Sequence, residues 1–177
     1  MLEWLKILGR VVYDRPMRMR LIGYRPVVMC LIQATDSEKY LFVRPAEKPE
    51  ALMSPQEGIE AKEQIGEAAA RGRKAELGIA ENQIHFRRSA WLGSRKIPEQ
   101  KGERDIQYSL VKMRGKAYYA ALIKMPESTT IKCNNAEIAG HEWLDLEQIR
   151  ERLPTNSERK QELIRSMFKK LLQINSL

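Results

Sequence analysis

Between Pro55 and Ile79 the chain carries five glutamates, Glu57, Glu60, Glu63, Glu67 and Glu76, with Arg71 and Arg73 among them. Carboxylates of this density can trade protons or hold hard cations. On a helix, positions 72, 75 and 76 share one face, but here they read Gly72, Ala75 and Glu76. Glu67 and Arg71 are four apart in the order that favours an ion pair, and Arg73 is three from Glu76, close enough to compete for its carboxylate. For Glu60 and Glu67 a solvated charge or an ion pair is the simpler role. Farther along, Arg95 and Lys96 fall in a predicted loop with Lys101 and Arg104. That loop either meets phosphates or RNA or stays solvated. Trp91, Tyr108, Tyr118 and Tyr119 could stack on a base, although strand aromatics more often serve the core. His141 is a lone candidate base. Cys30, Cys133, His85 and His141 lack any zinc-ligand spacing. Cys30 reads as a buried thiol, and two distant cysteines suit a reducing compartment.

These residues need elements to hold them. The apolar run Val27 to Ile32 predicts a buried strand, and Tyr40 to Val43 a second, joined by a hairpin loop at 35–39. Residues 44–58 carry Pro45, Pro49 and Pro55 and read as loop. A helix follows over 63–77, stopped by Gly78. Strands are expected at 85–92, 106–113 and 116–124, the last two joined at Gly115-Lys116. Residues 142–146 read as a short strand entering a helix. After the capping stretch Pro154 to Ser157, residues 158–172 place Leu163, Ile164, Met167, Phe168 and Leu171 at helical spacing. The pattern is α+β, a mixed sheet covered by helices.

A chain of 177 residues with 43% hydrophobic and 31% charged residues suits one domain with a real core. We divide it into a basic segment, 1–24, and a domain over 25–177 that includes the C-terminal helix. The basic segment holds Arg10, Arg15, Arg18 and Arg20, with Arg25 just beyond. It reads equally as an arm for phosphates or as a capping helix, with Leu2, Leu5, Leu8 and Val12 on one face. Nothing is long and apolar enough for a transmembrane helix, and the start lacks a secretory pattern. The expected location is the cytoplasm, with organellar targeting left open by the arginine-rich start. A net charge of +8 favours polyanionic partners such as nucleotides or RNA.

The stretch Pro55-Gln56-Glu57-Gly58-Ile59-Glu60-Ala61-Lys62-Glu63, followed by Glu67-Ala68-Ala69-Ala70-Arg71 and Glu76-Leu77-Gly78-Ile79, resembles the Nudix (MutT-like) hydrolase family. That family's box reads G-x5-E-x7-R-E-U-x-E-E-x-G-U, with U a bulky aliphatic. Glu63, Arg71, Glu76, Gly78 and Ile79 match, whereas Glu57, Gly72, Arg73 and Ala75 depart. Glu137, five residues before Glu142-Trp143, falls where some members place a further metal-binding glutamate. The resemblance covers about residues 26–170 and implies a Nudix fold, a mixed β-sheet sandwiched between helices.

It further implies that magnesium or manganese, held by Glu76, Glu137 and Glu63, orients a diphosphate for attack by water, with Glu76 and Glu63 as the catalytic carboxylates. Arg71, Arg95 and Lys96 are the expected substrate-binding cations. Gly72 and Ala75 mark lost acids. Three functions follow. The first is binding of a nucleotide, another phosphate-rich small molecule or an RNA 5′ end, with hydrolysis reduced or lost. The second is an active hydrolase of nucleoside diphosphate derivatives, dinucleoside polyphosphates or RNA 5′ ends. The third is a non-enzymatic assembly subunit.

Overall fold

The computed structural model describes residues 15–96, 113–134, 136–175 and 177. The described elements run α1 (Arg15–Leu21), β1 (Tyr24–Ala34), β2 (Tyr40–Pro45), β3 (Gln56–Gly58), α2 (Ile65–Leu77), β4 (His85–Lys96), β5 (Gly115–Met125), β6 (Ile138–Leu144), α3 (Leu146–Arg152) and α4 (Glu158–Leu172). The sheet order is β4-β5-β1-β2-β6, with β3 on β1 beside the start of β2's pairing. Among the described strands only β1 and β5 pair in parallel, along their full lengths from Tyr24↔Gly115 to Ala34↔Met125. The sheet is therefore mixed.

The central position of β1 explains its continuous apolar run. Val27, Met29 and Leu31 face one layer, with Phe42, Tyr118, Leu122 and the α4 residues Leu163, Ile164, Met167, Phe168 and Leu171. Val28, Cys30 and Ile32 face the other, with Leu41, Tyr119, Ile123 and the α2 residues Ala68, Ala69 and Leu77. Each large side chain buried this way contributes roughly 2–3 kcal/mol relative to exposure. Tyr40 meets Phe168 edge-on, with centroids 4.9 Å apart, which locks α4 onto the sheet.

The first hairpin and α4 lie where the periodicity puts them, and α2 starts two residues later than expected. Two expectations fail. The proline-bearing stretch 44–58 is not all loop, since Gln56–Gly58 pairs with Val27–Met29. Gly115 and Lys116 form no hairpin turn either, because they already lie in β5, opposite Lys96 and Arg95. Residues 106–112 themselves lie outside the described residues, as do Arg10, Lys101, Arg104, Tyr108 and the apolar face at 2–12. Among the described residues, no helix is long and apolar enough to cross a membrane.

Candidate functional site

The site is built around α2. Glu67 Oε2 accepts from the Gln64 N–H at 2.7 Å, which satisfies one of the helix's free donors. Glu67 is thus a cap and not the partner of Arg71. At the other end Gly78 takes φ +63, and its N–H and that of Ile79 close on the carbonyls of Lys74 and Arg73. Ala68 and Ala69 are small enough to let the helix lie flat on the sheet.

Arg71 ties the first half together. Its Nε donates to Glu63 Oε1 at 2.9 Å, and its Nη2 to Glu63 Oε2 at 3.0 Å and to the Gly58 carbonyl at 2.7 Å. Nη1 lies 3.4 Å from Glu57 Oε2, and Nη2 lies 3.9 Å from Glu60 Oε1. Glu63 also accepts from the Glu60 N–H at 2.8 Å. Burial alone would raise the Glu63 pKa, but the Arg71 and Glu60 hydrogen bonds hold it below the usual carboxylate range. The same Glu63 bond holds Arg71 more firmly protonated than usual. Both residues are occupied in fixing the 58–63 loop.

Arg73 and Glu76 do not meet. The Arg73 side chain turns into the core, 1% exposed, and donates to Cys30 Sγ at 3.4 Å, while its Nε has no hydrogen-bond partner. Burial lowers its pKa, and burial pushes the Cys30 thiol up to about 11. The expected competition between Arg73 and a cation for Glu76 is therefore absent: the long side chain fills the aliphatic space that position 73 offers.

Glu76 has different neighbours. The segment after β5 docks on the end of α2, where Lys132 N–H donates to the Leu77 carbonyl and Asn134 N–H to that of Glu76. That docking carries Glu137 toward Glu76. Burial, then Glu57, then Glu137 push the Glu76 carboxyl up to about 7. Sequence reasoning treated Glu57 only as a departure from the box. Gly72, beneath it, gave a signal that was available but unread, since the two positions exchange a glycine and a glutamate.

Glu57 also lines a pocket, together with Arg20, Tyr24, Arg25 and Arg71 among others. It places part of the basic start of the chain at the box, since α1 packs on β1. Gly58 permits this approach, because a side chain there would stand 3.1 Å from an Arg25 nitrogen. Arg95 and Lys96 end β4 instead of sitting in a loop, and Arg95 pairs with Glu162 on α4, across the sheet from α2. Tyr118 and Tyr119 are core residues, and Trp91 packs on Tyr119 with centroids 4.9 Å apart. His141 Nδ1 lies 3.4 Å from Cys133 Sγ, a meeting that no spacing announced. Burial, then Arg44, lower the His141 pKa.

Among the described residues no three His, Cys, Asp or Glu side chains form a ready metal cage. Magnesium, however, is commonly held by one or two carboxylates together with substrate phosphates. Glu76, pressed by Glu57 and Glu137, supplies the hard, negative oxygens such a shared site needs, so these residues fit a divalent cation that a ligand helps to bind.

The family described as NUDIX domain matches over residues 23–167. No curated protein matches the chain. Among solved structures, the E. coli dihydroneopterin triphosphate pyrophosphohydrolase is 18% identical with a TM-score of 0.57, over 85% of this chain and 97% of that one. A C. elegans Ap4A hydrolase is 16% identical with a TM-score of 0.56, over 83% of this chain and 98% of that one. A Nudix hydrolase from M. smegmatis is 14% identical with a TM-score of 0.51, over 73% of this chain and 74% of that one. At these identities the likeness speaks for the fold.

Proposed function

Since the chain belongs to the Nudix family, we propose that it binds a nucleotide or another diphosphate-containing ligand, RNA 5′ ends included, and hydrolyses it slowly or not at all. The observation that carries this reading is the half-buried Glu76 carboxyl, pressed electrostatically by Glu57 and Glu137, with Glu57 also lining a pocket bordered by Arg20, Arg25 and Arg71. Carboxylates and guanidinium groups share the lining of that pocket. A diphosphate with a divalent cation complements both.

Glu76 and Glu137 would hold magnesium or manganese, which when bound neutralises phosphate charge and positions water. Without a cation Glu76 takes up a proton near neutral pH, so proton and cation compete for it. Glu63 acts at one remove: it fixes Arg71, which fixes the Gly58 carbonyl and the pocket edge. Gly72 and Ala75 leave the helix face with one carboxylate where the box pattern has three. Fewer ligand charges weaken cation affinity, and this is the reason to expect reduced turnover.

The test combines equilibrium binding with magnesium- or manganese-dependent phosphate release. The panel holds nucleoside diphosphate derivatives, dinucleoside polyphosphates and 5′-triphosphorylated RNA. We expect metal-dependent binding that Glu76→Gln abolishes, with slow release. Rapid release would make the protein an efficient hydrolase. No binding to any ligand would leave the fold as an assembly surface.

A further inference from the structure

Positions 57 and 72 are linked in space. The box pattern has glycine at the first and glutamate at the second, and this chain has the reverse. A Cβ placed on Gly72 would stand 2.6 Å from Glu57 Cβ, 2.9 Å from its Cγ and 3.2 Å from its Oε2. Real carbon atoms do not approach so closely, so Glu57 already fills the space that a side chain at 72 would enter. Two carboxylates cannot both use it.

The backbone accepts the exchange at both places. Glu57 sits in β3 opposite Val28, and Lys62 and Gln173 are the non-glycine residues with positive φ among those described, so position 57 needs no glycine conformation. Gly72 is buried under the Glu57 side chain. The Gly58 N–H donates to Glu57 Oε1 at 2.7 Å, and Arg71 Nη1 faces Oε2 at 3.4 Å. These contacts hold the carboxylate over Gly72, beside Arg71. Its side chain remains 23% exposed, at the pocket wall.

We propose that Glu57 delivers from β3 the cation-facing carboxylate that the box pattern delivers from position 72 of the helix. This rests on the reading above, that the site takes a divalent cation with its ligand. The exchange moves one acid from helix to strand and leaves the acid missing at Ala75 as the uncompensated loss. It also means that Gly72→Glu does not restore the site in the parent chain, because the new side chain enters occupied space.

The experiment measures Mn2+ binding by electron paramagnetic resonance, together with thermal melting, on the full chain and on Glu57→Gln, Gly72→Glu and the exchange Glu57→Gly/Gly72→Glu. We expect Glu57→Gln to weaken Mn2+ binding about tenfold with its melting temperature kept, as loss of one charged ligand should. Gly72→Glu should lower the melting temperature by roughly 5 °C through overpacking. The exchange should recover both melting temperature and Mn2+ binding. Parent-like Mn2+ binding by Glu57→Gln, or an exchange variant that melts like Gly72→Glu but binds no Mn2+, overturns the proposal while leaving a cation site elsewhere. A parent that binds no Mn2+, either alone or with inorganic pyrophosphate present, overturns the cation reading itself.

Discussion

The two halves of α2 treat charge in opposite ways. In the first, Glu57, Glu60 and Glu63 gather round Arg71, and the guanidinium satisfies both carboxylate oxygens of Glu63 and a backbone carbonyl at once. In the second, Arg73 points into the core and Glu76 is left with Glu57 and Glu137 as its charged influences. The first half is a closed arrangement that holds a loop. The second carries an electrostatic deficit that something from outside can relieve. Glu57 belongs to both halves, which is why its substitution reports on the site and that of Glu63 reports on the loop.

The largest effect should come from opening the closed half. Arg71→Ala removes three charge-assisted hydrogen bonds and leaves Glu57, Glu60 and Glu63 facing one another; we expect a loss of about 3–4 kcal/mol in urea unfolding, reduced where solvent screens the pair. Next is the pH response of the open half. Glu76 has its pKa raised in the folded chain, so its favourable contribution is complete below the usual carboxylate range and is lost as pH rises toward about 7. Metal-free protein should therefore lose up to about 3 kcal/mol across that window, and Glu76→Gln should flatten the slope. A slope unchanged by Glu76→Gln would place the titration elsewhere.

Arg73→Leu sharpens the comparison from the other side. It removes a buried cation with an unpartnered Nε and restores an aliphatic residue of similar volume, so we expect a gain of about 1–2 kcal/mol and unchanged Mn2+ binding. A fall in stability would show that the Cys30 contact holds the layer together. Smallest of all, Arg95→Ala breaks a surface pair with Glu162 and should change stability by under about 0.5 kcal/mol and ligand binding not at all. Weakened ligand binding in that variant would return Arg95 to the site.

Sequence reasoning reached the layers because their signals are local. The apolar run at 27–32, the spacing across 158–172 and the glycine after Leu77 each state their structure within a few residues. It did not reach β3, because three residues carry no period. It misjudged Arg95 and Lys96 because β4 runs past the apolar residues that mark its beginning. At the site, Glu63, Arg71 and Glu76 stood out by their match to the family's box, Glu63 lying just before α2 and the other two on it. The company Glu76 keeps did not, since Glu57 arrives on a strand and Glu137 on a segment tied down by Lys132 and Asn134. Arg73 shows the limit of surface-pair rules: a three-residue spacing permits contact, but an aliphatic-sized hole in the core took the side chain instead.

The parallel pairing of β1 with β5 has a consequence for how the chain is made. The sheet's most apolar strand leaves the ribosome about ninety residues before its full-length partner. At ordinary synthesis rates it waits roughly 5–20 s. During that time Val27 to Ile32 is an uncharged, β-prone six-residue segment whose β5 edge is open, although β2, β3 and α2 emerge before β5. Such long-range pairing slows folding. The nascent chain is therefore most vulnerable to association with its own kind before β5 emerges, and the arginines on both sides of that segment, Arg25 and Arg44, are placed to discourage it.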